Sequence, residues 1–498
     1  KRQELYKSYK FTKALKVYKE LDELGSITAA RRIGDCYREM NDLVNAEKYY
    51  AIAVEQKNIP ERYFFYYAQS LMSNEKYEDA KKWFLTFKEH DPKNTSVDGM
   101  ITACDMVLSK LEEDSPFKLY NLDLNTDAAE FSPYFYNHGI IFTSSRIESA
   151  LRKKDAWTNT GFLDVYYAPI HWRDTIPTQI KLKGAVNTFN FHDGPACVNK
   201  EGTKIYFTRN NVVGGSATSS KSGDIKLKIF SAEKNGESFK NVEELNFNSN
   251  EFSCAHPSIN HNETVIYFSS DRAGGYGGAD IYYSTYNNSK NRWNRPINAG
   301  PIINTEQDEK FPFIHDNGIL YFSSNGHIGL GGLDIYAASP DSLKENSFVS
   351  IKNLGQPFNS SKDDFSFILD QNERTGYFAS NRDGGKGNDD IYMFTSATIP
   401  LDIYTSANDT SNHHVWITIY DINNNILLDR NYTDLNGNMY SRLEPNQSYM
   451  IISKKKGFIT EKTPLQTTNN IQTIKLEIKM TKEVVVESEL EDSFTPKQ

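Results

Sequence analysis

The stretch SSDRAGGYGGADIYYS, residues 269–284, sets four glycines between an arginine and a tyrosine-rich end. A glycine-rich loop that cradles phosphate opens a helix, so that backbone N–H groups and the helix N-terminus face the anion. In a G-x-G-x-x-G fingerprint begun at Gly275 and Gly277 the third glycine falls on Asp280, and Ile281-Tyr282-Tyr283 favour a strand. The stretch therefore reads as a tight turn that feeds a strand.

The same pattern recurs. LDVYYAP (163–169), GDIKLKI (223–229), ADIYYST (279–285), LDIYAAS (333–339) and DDIYMFT (389–395) place Asp164, Asp224, Asp280, Asp334 and Asp390 at intervals of 60, 56, 54 and 56 residues. Upstream of each lies a short apolar block, GIIFTSSR, KIYFTRNN, VIYFSSDR, ILYFSSNG and GYFASNR. Before that comes a third block, AEFSPYF, HDGPACV, FSCAHPSI, EKFPFIH and DDFSFIL, and linking strands such as WNRPINAGPIINTEQDE separate the copies. Four short strands per repeat, in series, is the sequence form of a β-propeller blade. Residues 117–396 hold 280 positions, or five units of about 56. A six-bladed ring is the alternative, and it would need a degenerate sixth copy. FKLYNLDLNTDAAE (117–130) precedes the first copy, and the last copy stops after DIYMF, so the N-terminal strand is expected to complete the C-terminal blade and leave no open edge.

These blocks resemble the PD40 type of WD40-like propeller repeat, with copy two departing most through DIKL. Within the motif, glycines supply tight turns and the aspartate can accept N–H groups of the preceding turn. Arg146, Arg272 and Arg382 share one repeat position, occupied by Asn211 and Gly326 in the other copies. Near a ring axis they are candidates to bind a partner's carboxylate or another anion. Pairing with the repeat aspartates is the competing structural role.

Ahead of the propeller, RIGDCYREMNDLVNAEKYYAIAVEQ (32–56) aligns with YAQSLMSNEKYEDAKKWFLTFKEHDP (67–92), setting Ala46 over Ala80, 34 positions apart. Ala14 in YKSYKFTKALKVYKEL marks an earlier copy. A small residue lets antiparallel helices approach, and aromatic residues just after it fill the groove against the next pair. The segment 1–116 resembles tetratricopeptide repeats, capped by a helix over about 95–112. Arg62, Tyr63, Tyr66 and Tyr67 are the candidates to line a concave partner-binding face.

After the propeller, residues 397–480 alternate apolar and polar positions in short strands, which predicts an antiparallel β-sandwich. Thr433, Asp434, Asn436, Gly437, Leu443, Pro445, Tyr449, Gly457 and Phe458 carry a resemblance to carboxypeptidase regulatory-like domains, an accessory fold without protease chemistry. DLNGN fails as a calcium loop, because the sixth and twelfth positions from Asp434 are Met439 and Pro445. His413-His414 is the one histidine pair, and adjacent strand residues face opposite ways. The tail, 481–498, is acidic and reads as a linker.

A net charge of −9 with scattered Lys and Arg gives no nucleic-acid footprint. Four cysteines without C-x-x-C spacing are expected as buried free thiols, and no apolar run is long enough for a membrane helix. No nucleophile elbow, zincin or P-loop motif is present, so neither a catalytic residue nor a cofactor is assigned. The first residue is Lys1 rather than methionine, and the expectation is of a trimmed product whose targeting signal and last domain lie outside this sequence.

The order of helical repeats, PD40 propeller and regulatory-like sandwich resembles an OmpA-family group of envelope proteins in Bacteroidetes-type bacteria. The resemblance implies a non-enzymatic periplasmic scaffold at the outer membrane, in type IX secretion or gliding machinery. It further implies a lipid anchor, a PorP/SprF-type outer-membrane β-barrel partner with other secretion-complex proteins, and peptidoglycan held by a C-terminal OmpA-like domain absent from this chain. The alternative is a propeller that binds a glycan or peptide in its channel.

Overall fold

The computed structural model describes residues 2–23, 26, 28–94, 96–109, 117–147, 154–155, 160–169, 179–213, 216–371, 373, 375–396, 398–407, 410–411, 413–422, 426–444, 447–468 and 472–483. Pro445 and the acidic tail from 484 onward lie outside them. The chain is mostly β and divides into two compact units, Lys1–Gln371 with Thr375–Thr395, and Asn372–Arg374 with Ser396–Gln498.

The first unit begins with seven helices: α1 (Arg2–Lys7), α2 (Phe11–Glu23), α3 (Ala29–Glu39), α4 (Leu43–Val54), α5 (Arg62–Ser73), α6 (Tyr77–His90) and α7 (Ser96–Ser109). Each packs on the next. The small residues do what their spacing predicts: Ala14, Ala46 and Ala80 are buried, and a Cβ on Gly34 would lie only 2.6 Å from the Tyr50 ring. The α3–α4 and α5–α6 turns pass through Asn41 and Glu75 at φ of 59° and 61°. A buried carboxylate, Asp35, ties three elements, accepting from Tyr50 Oη at 3.2 Å, Tyr63 Oη at 3.0 Å and Arg32 Nη1 at 3.1 Å.

The remainder of the unit is propeller-like, a series of small curled antiparallel sheets. The strands nearest the axis are Glu130–Tyr136, Asp193–Val198, Cys254–Ile259, Glu309–Ile314 and Asp364–Leu369. Each heads its own sheet and touches the next in that order, and the fifth touches the first. Phe117–Asn121 lies outermost in the sheet of Asp364–Leu369, Thr375–Ser380 and Asp390–Ser396, which is the pairing its sequence suggested. The second strand of each sheet is buried on both faces, as in Val265–Ser270, and its aromatic residues fill the gaps between sheets.

The second unit holds two four-stranded sheets, one around Ile399–Ala407 and one around Trp416–Asp421. Its own core includes Leu401, Ile417, Ile419, Leu443, Tyr449 and Ile451.

Candidate partner-binding site

Repeat positions in the first unit are occupied by groups that hold the sheets together. The aspartates of the D-I-Y block close the glycine turns: Asp280 Oδ2 accepts from Tyr276 N at 2.7 Å, Asp334 Oδ2 from Leu330 N at 2.8 Å, and Asp390 Oδ1 from Gly387 N at 3.0 Å. Asp164 instead pairs with Lys181 Nζ at 2.7 Å.

The three repeat arginines lie inside their sheets. Arg382 donates to Asp364 Oδ1 at 2.6 Å, Pro357 O at 2.9 Å and Phe358 O at 2.6 Å, with its guanidinium 4.9 Å from the Phe378 ring centroid. Arg146 reaches Glu130 Oε1 at 3.1 Å and Leu124 O at 3.2 Å, over Tyr166 at 4.9 Å. Arg272 sits between Phe252, Phe268 and Tyr282 and donates to Cys254 Sγ at 3.1 Å, because a cysteine replaces the carboxylate in that copy. The carboxylates met are thus those heading the axial strands, and not the D-I-Y aspartates. Arg146 and Arg382 thus spend their guanidinium groups on their own sheets, and Arg272 spends its Nε and Nη2 on Ser270 and Cys254, which is the structural role set against partner binding.

The copies lacking that arginine use substitutes. In copy two Arg209, two residues earlier than Asn211, bonds Asp193, Ala185 O and Val186 O. In copy four His327, next to Gly326, meets Ile303 O at 2.8 Å. Burial pushes Asp193 and Asp364 above the usual carboxylate range although Arg209 and Arg382 pull them down.

An asparagine clamp was missed in the sequence. Asn304 Oδ1 accepts from Ile281 N at 2.7 Å while its Nδ2 donates to Ile281 O at 2.9 Å. Asn125, Asn187, Asn248 and Asn359 grip Ile391, Val165, Ile229 and Ile335 in the same way. The shared signal is an Asn before Ser or Thr in each linking segment.

Side chains pack closely between the axial strands. Each axial strand breaks register at a residue of positive φ: Ser132, Gly194, His256, Phe311 and Ser366. His256 stacks on Phe311 at 3.9 Å between centroids, and Phe365 lies 4.9 Å from Phe311. A pocket of about 20 Å³, roughly one water, lies among the axial strands. Burial there pushes the His256 imidazole down to about 3, so it is neutral.

Of the helical candidates, Tyr63 is 1% exposed with its hydroxyl on Asp35, so it cannot line an open face. Tyr66 is half-buried under Arg38, 4.3 Å away, and Tyr67 packs edge-on against Trp83 at 5.2 Å. Arg62 is exposed. The four cysteines are buried and unpaired, as expected.

A cleft of about 710 Å³ lies where the α3–α4 turn faces one end of the ring. Met40, Leu43 and Val44 form one wall, and Phe131, Gly161, Leu163 and His192 form the floor. Asp363, Asp383 and Gly387–Asp389 also line it. The turn is held by Asn41 Nδ2 on Asp363 Oδ2 at 2.7 Å.

No protein-family model matches the chain, and no curated protein matches it. Among solved structures it is similar to a thermostable family-43 glycoside hydrolase, at 15% identity over 55% of this chain and 91% of that one, with a TM-score of 0.34. An α-L-arabinofuranosidase from Lactobacillus brevis gives 11% identity over 55% and 92%, TM-score 0.34. A family 117 glycoside hydrolase from the marine bacterium Zobellia galactanivorans gives 10% over 56% and 89%, TM-score 0.33. Likenesses this weak carry no activity to this chain. Among the described residues, no helix is long and apolar enough to cross a membrane.

Proposed function

We propose that the chain is a non-enzymatic scaffold of the bacterial envelope. In this reading tetratricopeptide-like hairpins are docked on a five-bladed propeller and followed by a regulatory-like sandwich. It is similar in role to the PorE component of type IX secretion, working in the periplasm beside an outer-membrane β-barrel of the PorP/SprF type. A C-terminal OmpA-like domain would hold the cell wall. The five-fold asparagine clamp supports the blade count, since each clamp marks one sheet.

The observation that carries the scaffold reading is the packing at the axis. Aromatic side chains pack between the axial strands and the repeat arginines bond within their sheets, which supports recognition at the outer surfaces rather than along a central channel. The surfaces left for recognition are the helices and the cleft beneath them. The test is cross-linking and purification of the full-length protein from its own cell envelope. An outer-membrane β-barrel should co-purify above an untagged control, and its consistent absence would overturn the reading.

A further inference from the structure

Asp389 breaks the repeat. At the position before each D-I-Y aspartate the other copies carry Leu163, Gly223, Ala279 and Leu333, and only the fifth carries an acid. Its backbone carbonyl accepts from Glu130 N at 2.8 Å, but no donor or cation among the described residues pairs with its carboxylate. Burial, and after it the nearby carboxylates of Asp363, Asp390 and Glu130, push its carboxyl up to about 7. A carboxylate kept in such surroundings weakens the fold unless something else uses it.

What lies in front of it is the cleft. The other carboxylates there are mostly engaged: Asp42 caps α4 through Asn45 N at 3.1 Å, and Asp363 takes Leu333 N and Asn41. Asp383 is 84% exposed, with Lys362 Nζ 3.8 Å away, and that lysine also turns to Asn74 Oδ1 at 3.3 Å. His192 Nε2 lies 3.6 Å from Asp155. Met40, Leu43 and Val44 add aliphatic surface, and Val44 is 50% exposed. The cleft thus combines an excess of carboxylates with aliphatic side chains, in a volume suited to a few residues of chain.

We infer that this cleft docks a basic, partly apolar segment of a partner protein, setting a lysine or arginine on Asp389 and Asp383 and aliphatic side chains against Val44 and Met40. The inference deepens the scaffold reading and rests on it. A cation there would supply the pair that Asp389 lacks.

The test is fluorescence titration of the full chain with a labelled seven-residue peptide of alternating lysine and leucine, against a control with glutamate for lysine. The lysine peptide should bind and the glutamate peptide should not. Asp389→Asn should weaken binding about tenfold, as loss of a charged hydrogen bond does. Val44→Lys, on an exposed helix position, should weaken it comparably while the Tm stays unchanged. Binding should be tighter at pH 8 than at pH 6, where Asp389 is protonated, and Asp389→Asn should shrink that difference. Equal affinity in wild type and both variants, or equal binding of both peptides, would overturn the site. That failure is distinct from failure of the scaffold reading, which rests on co-purification of the wild-type chain alone.

Discussion

At the residue scale, the asparagine clamp shows how a short side chain substitutes for a neighbouring strand. Its amide presents one acceptor and one donor at the spacing of a peptide group, so it satisfies both backbone groups of one buried isoleucine or valine. Asn304→Ala should lower the unfolding free energy by about 2–4 kcal/mol, because two hydrogen bonds go and Ile281 N is left buried without a partner. Urea denaturation of the two proteins measures this, and a change within error would refute the clamp. Asp389 behaves oppositely. Its folded pKa is raised, so its contribution to stability is full below the unfolded value near 4 and is lost as pH rises through about 7. Asp389→Asn should therefore raise the Tm at pH 8 by at least about 2 °C and leave it nearly unchanged at pH 4.5. A lower Tm at pH 8 would mean that the carboxylate has a stabilising partner.

At the element scale, strands were legible where burial alternates or persists, and the D-I-Y copies fall on the third strand of their sheets, except that in copy two the strand starts at Leu227, after Asp224. The small-residue positions of the helices were legible for the same reason: Ala46 and Ala80 repeat with the packing period. The arginines were misread because their partners are set by register. Ser380 pairs across from Asp364, and this brings Arg382, two residues on, to that carboxylate rather than to Asp390. Tyr63 looked like surface on its helix, and only the distant Asp35 buries it. The clamp was hidden because Asn-Thr and Asn-Ser are ordinary turn chemistry. The closing strand Phe117–Asn121 pairs at the edge of its sheet, with Phe117 and Leu119 against the core and Asn121 Nδ2 on Asp390 at 2.8 Å. Leu119→Asp should detach it, costing about 2–4 kcal/mol and exposing the edge of Asp390–Ser396. Light scattering should then show concentration-dependent association absent from the wild type. A monodisperse variant of normal Tm would show that the strand does not seal the ring.

At the scale of the whole first unit, polar contacts at the hairpin turns help to join the helices to the ring. Besides Asn41 on Asp363, Ser361 Oγ donates to Glu75 at 3.3 Å, and Tyr77 Oη lies 3.4 Å from Leu330 O. Both turns that dock, at Asn41 and Glu75, carry the positive φ that projects them from their hairpins. Contacts of this kind contribute about 1 kcal/mol each, so the docking is weaker than either core it joins. The cleft shares this seam, lined by residues 39–44 of the α3–α4 turn. Asn41→Asp sets a carboxylate against Asp363 and turns one attraction into repulsion. Hydrogen exchange should then quicken at the amides of Leu333 and of the α3–α4 turn, while the main thermal transition, set by the aromatic cores between sheets, moves by less than about 1 °C. Unchanged exchange would show that the turn is held by apolar packing of Met40 and Leu43 instead. A large fall in Tm would show that helices and ring fold as one cooperative body.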